Sequence, residues 1–235
     1  MNVELKNQYQ SESKPSFLST VVSKIGIGFV VFFLLMGLFA KLAEEMHEGD
    51  TLGVDQTILY SVHSLHGTLL DQIVPLITNL GGAVGVIGII GIASAALATK
   101  RKYLALLQML VGVGGAVLLN MLVKGFFARQ RPDLWERLVT ETSYSFPSGH
   151  SMASAALALS VVLITWNTRF RWWVVAAASL YVVTIGFTRL YLGVHYPTDV
   201  LAGWSLGAAW VLFVAWIIGG ISRRNKRGKN EDYLS

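Results

Sequence analysis

Three stretches of this chain, Leu76 to Ala98, Tyr103 to Val123 and Val200 to Ile221, contain no formally charged residue. Each is longer than the roughly 20 residues a helix needs to cross a bilayer core. A backbone surrounded by lipid must satisfy its own N–H and C=O groups, so such runs are expected as helices. Three further runs read as spans. Ile25 to Ala40 is bracketed by Lys24 and Lys41, whose stems can snorkel outward; Ser148 to Trp166 contains His150; Trp172 to Thr188 is short and flanked by aromatic residues. A composition of 53% apolar and 14% charged residues fits a chain whose solvent is lipid. The expectation is an all-α integral membrane protein with six transmembrane helices in a bundle over residues 21–221, a leader at 1–20 and a basic tail at 222–235. The leader shows no cleavage pattern and the first span is expected to be retained.

The distribution of charge says more than the net +5. With both termini in the cytoplasm, thirteen of the nineteen basic residues fall on the inner side, including Lys100, Arg101, Lys102, Arg169, Arg171 and the tail residues Arg223 to Lys229. The positive-inside rule favours that topology. Lys41, Lys124, Arg129, Arg131, Arg137 and Arg189 then lie with the outer connections, as do ten of the fourteen acidic residues. Chemistry is expected on that side, at the cell membrane's outer face. In the first outer connection Val54, Ile58, Val62, Leu65 and Leu69 recur at helical spacing opposite Asp55, Gln56 and His63, the pattern of an interfacial amphipathic helix. The glycines from Gly81 to Gly91 and from Gly112 to Gly115 follow no strand and precede no lysine-serine pair, so close helix packing accounts for them better than a nucleotide loop. The chain has no cysteine, which removes disulfides and thiolate metal sites.

Three polar clusters lie at outer span ends: Lys124 with Arg131-Pro132; Pro147-Ser148-Gly149-His150; and Arg189 with His195 and Asp199. Any one of them alone has an ordinary reading, as an interface anchor, a helix start or a surface pair. Folding a bundle brings all three to one membrane depth. Lys124, Arg131 and Arg189 then offer charge and donors to phosphoryl oxygens. Ser148 and Gly149 open a helix whose free N–H groups favour an anion. His195 and Asp199, four residues apart, share a helix face, so the carboxylate can hold one ring nitrogen while the other attacks phosphorus. His150 can protonate the leaving oxygen, and two histidines in opposite protonation states imply a bell-shaped pH profile. His63 and His66, with His47, lack supporting ligands at convincing spacing, and no metal site is expected. Asn120, one turn before Lys124, can brace it or pack against a neighbouring helix, and stays outside the proposed site.

These clusters resemble the three signature motifs of the type 2 phosphatidic acid phosphatase superfamily, which includes the vanadium haloperoxidases. About ten fixed identities in order, each with a background near one in twenty, do not arise readily by chance. The resemblance implies a phosphate pocket of Lys124, Arg131, Ser148, Gly149 and Arg189, a general acid at His150, a nucleophile at His195 that becomes phosphohistidine, and a supporting Asp199, with no metal or other cofactor. Thr188 stands where the family usually has serine, and it keeps the hydroxyl. The implied activity is hydrolysis of a membrane lipid phosphate or diphosphate, with undecaprenyl diphosphate ranked first, phosphatidylglycerophosphate second and phosphatidic acid also a candidate. No nucleic-acid partner is expected. Phosphotransfer through the same site is the alternative. A transporter, which would place its ionisable groups nearer the midplane, fits poorly, and a haloperoxidase would be soluble.

Overall fold

The computed structural model describes residues 17–232 except Thr68 and Leu138, with side chains described over residues 26–220. Most of the expected leader and the tail's side chains lie outside the described residues. Those described form helices only: α1 (Phe17–Glu48), α2 (Leu52–His63), α3 (Leu70–Thr78), α4 (Ala83–Thr99), α5 (Tyr103–Phe127), α6 (Gly149–Thr165), α7 (Arg171–Tyr191) and α8 (Pro197–Asp232). Four stretches, Gly26–Glu48, Tyr103–Phe127, Arg171–Tyr191 and Pro197–Gly220, are long and apolar enough to cross a membrane. A fifth exists if α3 and α4 count as one span. Their outward faces are apolar, with Phe33, Val84, Ile92, Leu118, Phe126, Trp173 and Leu180 all exposed, as expected of a multi-pass membrane protein whose outer surface meets lipid.

At 17 residues α6 is shorter, and its position explains its composition. It packs against α5, α7 and α8, and Ser151 through Ala158 are all buried. Small side chains there let the neighbouring backbones approach closely. A Cβ added at Gly203 would stand 2.6 Å from the carbonyl oxygen of Ser148, and one at Gly207 would stand 2.5 Å from that of Met152. Met109, Val113 and Ala116 of α5, Met152, Ala156 and Leu157 of α6, and Leu206 and Val211 of α8 form the main apolar core.

One expectation needs correction. The run Leu76 to Ala98 is not one straight span: α3 and α4 meet at 52° across Asn79–Gly82. Uniform apolarity conceals the break, which turn hydrogen bonds stabilise: Gly81 N–H donates to Thr78 at 3.0 Å, and Gly82 N–H to Asn79 at 3.2 Å. Tyr181 of α7 donates to the freed Leu80 carbonyl at 2.9 Å. Of the amphipathic segment, Leu52–His63 is helical as α2, with Leu65 and Leu69 beyond its end, and Asp55 of its polar side faces inward. Asp55 is buried while Val54 and Ile58 are exposed, and the helix lies against α7 and α8. His63 stacks on Trp135 with ring centroids 4.0 Å apart, and His66 stacks on Tyr191 at 4.5 Å.

The α6–α8 contact gives a direct test. Gly207→Ala should destabilise the protein by about 1–3 kcal/mol through overpacking, read as a lower melting temperature in detergent. Gly88→Ala, whose added methyl meets nothing within 4 Å, should leave the melt unchanged or raise it.

Candidate active site

The last residue of α5's exit decides where two arginines go. Ala128 takes φ 46°, a left-handed cap that ends the helix and turns the chain into the 128–148 connection. Arg129 and Arg131 follow at once and reach opposite ends of the same histidine-carboxylate pair. Arg131 donates from Nη1 to His195 Nε2 at 3.1 Å. Arg129 donates from Nη1 to Asp199 Oδ1 at 2.6 Å. His195 sits in the α7–α8 connection, just after Gly193, whose φ of 66° lets the chain reverse tightly.

The direction of these bonds fixes the ring's tautomer. A guanidinium can only donate, so Nε2 accepts and the imidazole proton resides on Nδ1. Nδ1 faces Asp199 Oδ2 at 3.4 Å. Oδ2 also receives the Tyr196 N–H at 2.8 Å and the Ser145 hydroxyl. His195 is 1% exposed. Burial first, then the charges of Arg189, Arg131 and Lys124, hold its pKa well below the ordinary imidazole value of 6.5. The ring is therefore neutral, with its lone pair directed at the cations.

The other expected residues converge here with different degrees of freedom. Arg131 is fully engaged: besides His195 it donates to the carbonyls of Val194 at 2.7 Å, Ser143 at 2.7 Å and Tyr144 at 3.3 Å, and to Ser143 Oγ at 3.1 Å. Lys124 donates to Ser143 Oγ at 3.0 Å. Arg189 is 1% exposed, and its Nε has no partner among the described residues. Its Nη1 donates to Thr78 Oγ1 at 3.0 Å, and Nη2 is paired with Glu141. Ser148 caps α6, accepting from Ser151 N at 3.4 Å and Ser151 Oγ at 3.0 Å. Its hydroxyl oxygen thus accepts from the helix, while Gly149 and His150 present the first N–H groups of α6, which have no intrahelical acceptor. His150 is half-buried, and a Cβ on Gly82 would lie 3.1 Å from its Nε2, so the α3–α4 break packs directly on this ring.

Besides Arg129, five residues outside the expected set complete the arrangement. Glu141 spans Arg189 and Arg131, standing 3.6 Å from Arg131 Nη2. Burial opposes its charge, but the two arginines hold its carboxyl below the ordinary range. Thr78 carries Arg189, Ser145 touches Asp199, and Asp55 pairs with Arg129 at 3.0 Å. Asn120 donates to Pro147 O at 3.1 Å, so it supports the start of α6 and not Lys124. A Cβ at Gly149 would come 3.0 Å from Asn120 Oδ1. Among the described residues no cluster of three or more His, Asp and Glu could hold a metal ion.

An open pocket of about 450 Å³ is lined by residues of the 128–148 connection, among them Arg129, Arg131, Arg137, Glu141 and Ser143. Buried cations, a neutral imidazole with its carboxylate, and a second histidine can bind a phosphoryl group, attack it and protonate what leaves.

The sequence pattern of the PAP2 superfamily matches residues 105–223. The chain belongs to the PAP2 superfamily. It is 32% identical to "Phosphatidylglycerophosphatase B" of Bacillus subtilis over 206 residues, 86% of this chain and 96% of that one. It is 29% identical to "Undecaprenyl-diphosphatase BcrC" of the same organism, over 69% of this chain and 79% of that one. A crystal structure described as the first transmembrane PAP2 type phosphatidylglycerolphosphate phosphatase from Bacillus subtilis superposes with a TM-score of 0.72, at 32% identity, covering 82% of this chain and 96% of that one. Among PAP2 proteins the chain therefore falls with the membrane phosphatases, as a hydrolase.

The lowered pKa of His195 has a pH consequence. A base whose pKa falls stays unprotonated at every pH above the new value. The acid limb of kcat/KM should therefore lie below pH 6.5, measured as phosphate release across pH 4 to 9. A limb at or above pH 6.5 would contradict a buried neutral His195.

Proposed function

We propose that this PAP2 protein hydrolyses a membrane lipid phosphate or diphosphate at the outer face of the cell membrane, through a phosphohistidine on His195. The observation that carries the reading is Arg131 Nη1 at 3.1 Å from His195 Nε2: the attacking nitrogen is already aimed where a guanidinium would hold phosphoryl oxygens. Lys124, Arg131, Arg189 and the N–H groups at the start of α6 stabilise those oxygens. Arg131 Nη1 passes from His195 Nε2 to a phosphoryl oxygen and frees the lone pair; Nε2 donates that pair to phosphorus, the bond from phosphorus to the lipid oxygen breaks, and His150 gives that oxygen its proton. Asp199 balances the positive charge that develops on the His195 ring. Water, deprotonated by His150, then attacks phosphorus, releasing inorganic phosphate and restoring neutral His195.

In this reading α6 is the sixth span, crossing at the bundle's centre with a length of about 26 Å. The termini are cytoplasmic by the charge distribution, and the exposed apolar positions of α2 meet the outer leaflet. Phosphatidylglycerophosphate and undecaprenyl diphosphate are the two substrate candidates, and the nearly full-length likeness to phosphatidylglycerophosphatase B puts the first ahead.

Protein purified in detergent with excess chelator should release phosphate from at least one of these lipids or from phosphatidic acid. His195→Ala should lose that activity by about 10³-fold or more. Folded wild-type protein that releases none, yet labels an added lipid or sugar acceptor, would replace hydrolysis with phosphotransfer.

A further inference from the structure

Behind the nucleophile lies a second layer of charge that links the first outer helix to the catalytic carboxylate. Arg129 is the centre of it, with a side chain only 10% exposed. Its Nη1 donates to Asp199 Oδ1 at 2.6 Å and to Thr198 Oγ1 at 2.8 Å. Its Nη2 donates to Asp55 Oδ2 at 3.0 Å, and its Cζ stands 4.1 Å from the centre of the Tyr196 ring. Asp55, 1% exposed, takes the Thr198 N–H at 3.0 Å and the Thr198 hydroxyl at 2.6 Å. A carboxylate from α2 thus caps the first turn of α8, the turn that carries Asp199. Planarity matters at this junction, since one face of the guanidinium rests on Tyr196 while its edge serves both carboxylates.

This arrangement divides the two oxygens of Asp199 between two tasks. Oδ1 is held by Arg129, leaving Oδ2 for the Tyr196 N–H, Ser145 and the His195 Nδ1 side. Without Arg129 a buried carboxylate would lose its counter-charge and could rotate or take up a proton, and a protonated Asp199 no longer balances an imidazolium. Resting on the catalytic reading given above, we propose that Arg129 and Asp55 are positioning residues for the reaction: Arg129 keeps Asp199 ionised with Oδ2 directed at His195, and Asp55 holds both Arg129 and the start of α8 in place. The first outer helix is in this sense part of the catalytic apparatus, although it contributes no atom to the substrate pocket.

The test compares phosphate release by wild type, Arg129→Gln, Arg129→Lys, Asp55→Asn, Asp199→Asn and the double variant Arg129→Gln/Asp199→Asn. Arg129→Gln should lower kcat about 100-fold with little change in KM, because misplacement and not binding is lost. Arg129→Lys, which restores charge without the fork, should recover part of kcat, and Asp55→Asn should fall between it and wild type. In the Asp199→Asn background Arg129→Gln should cost less than about three-fold, since it acts through the carboxylate already removed. Full additivity in the double variant, or wild-type kcat in Arg129→Gln, overturns the proposal. If Arg129→Gln loses its monodisperse detergent peak, Arg129→Lys and Asp55→Asn decide, and normal kcat in both overturns it equally. Absence of phosphate release by wild type is a separate outcome that removes the hydrolase reading itself.

Discussion

A guanidinium buried among apolar helices costs several kcal/mol unless its N–H groups find acceptors and its charge a counter-charge. That condition governs the end of the bundle where α5 and α7 finish and α6 and α8 begin. Four cations, Lys124, Arg129, Arg131 and Arg189, stand there with three carboxylates, Asp55, Glu141 and Asp199. The pairing is nearly complete but leaves one positive charge over, together with an unpartnered Arg189 Nε. A site built in this way is stable enough to fold and still short of one anion. Under the proposed function a phosphoryl group supplies what is missing, and the surplus charge is already in place when it arrives.

The apolar scaffold makes that concentration of charge tolerable. Small residues along α6, with Gly203 and Gly207 facing it, draw α8 close enough for the Ser148 N–H to donate to the Asp199 carbonyl at 3.0 Å. This single bond joins the start of α6 to the turn that carries Asp199. The bend between α3 and α4 serves the same end from the other side, setting Thr78 under Arg189 and Gly82 against His150. Two irregularities in the backbone, the break at Asn79–Gly82 and the left-handed cap at Ala128, thus deliver site residues that straight spans would leave apart.

Much of this was legible in the residues themselves. Lys124, Arg131, His150, Arg189, His195 and Asp199 declare themselves because polar groups at span ends are few and because their spacing is that of a family pattern. Ser148 reads correctly as a helix start, though its hydroxyl proves to serve the helix. The α3–α4 bend was hidden, since an uncharged run looks the same whether straight or broken, and Gly81 and Gly82 passed as packing residues. Periodicity puts Asp55 on the polar side of an amphipathic helix, but it reveals two faces and not which one meets protein. Arg129 looked like one more outer basic residue, and Glu141 like a loop acid. Pairings that span 74 and 48 positions, as Arg129 with Asp55 and Arg189 with Glu141, leave no local signal. Tertiary burial alone assigns them.

The central claim is that His195 Nε2 forms a bond to phosphorus, and it can be observed directly. Wild-type protein mixed with lipid substrate, quenched in alkali within milliseconds and digested, should yield a peptide containing His195 that carries a phosphate stable to base and labile to acid. His150→Ala, which retains the nucleophile and lacks the proposed proton shuttle, should give the same species about 10²-fold or more slowly, seen at longer quench times, and His195→Ala none. Phosphate found on another residue, or on none while wild-type turnover proceeds, would contradict the account.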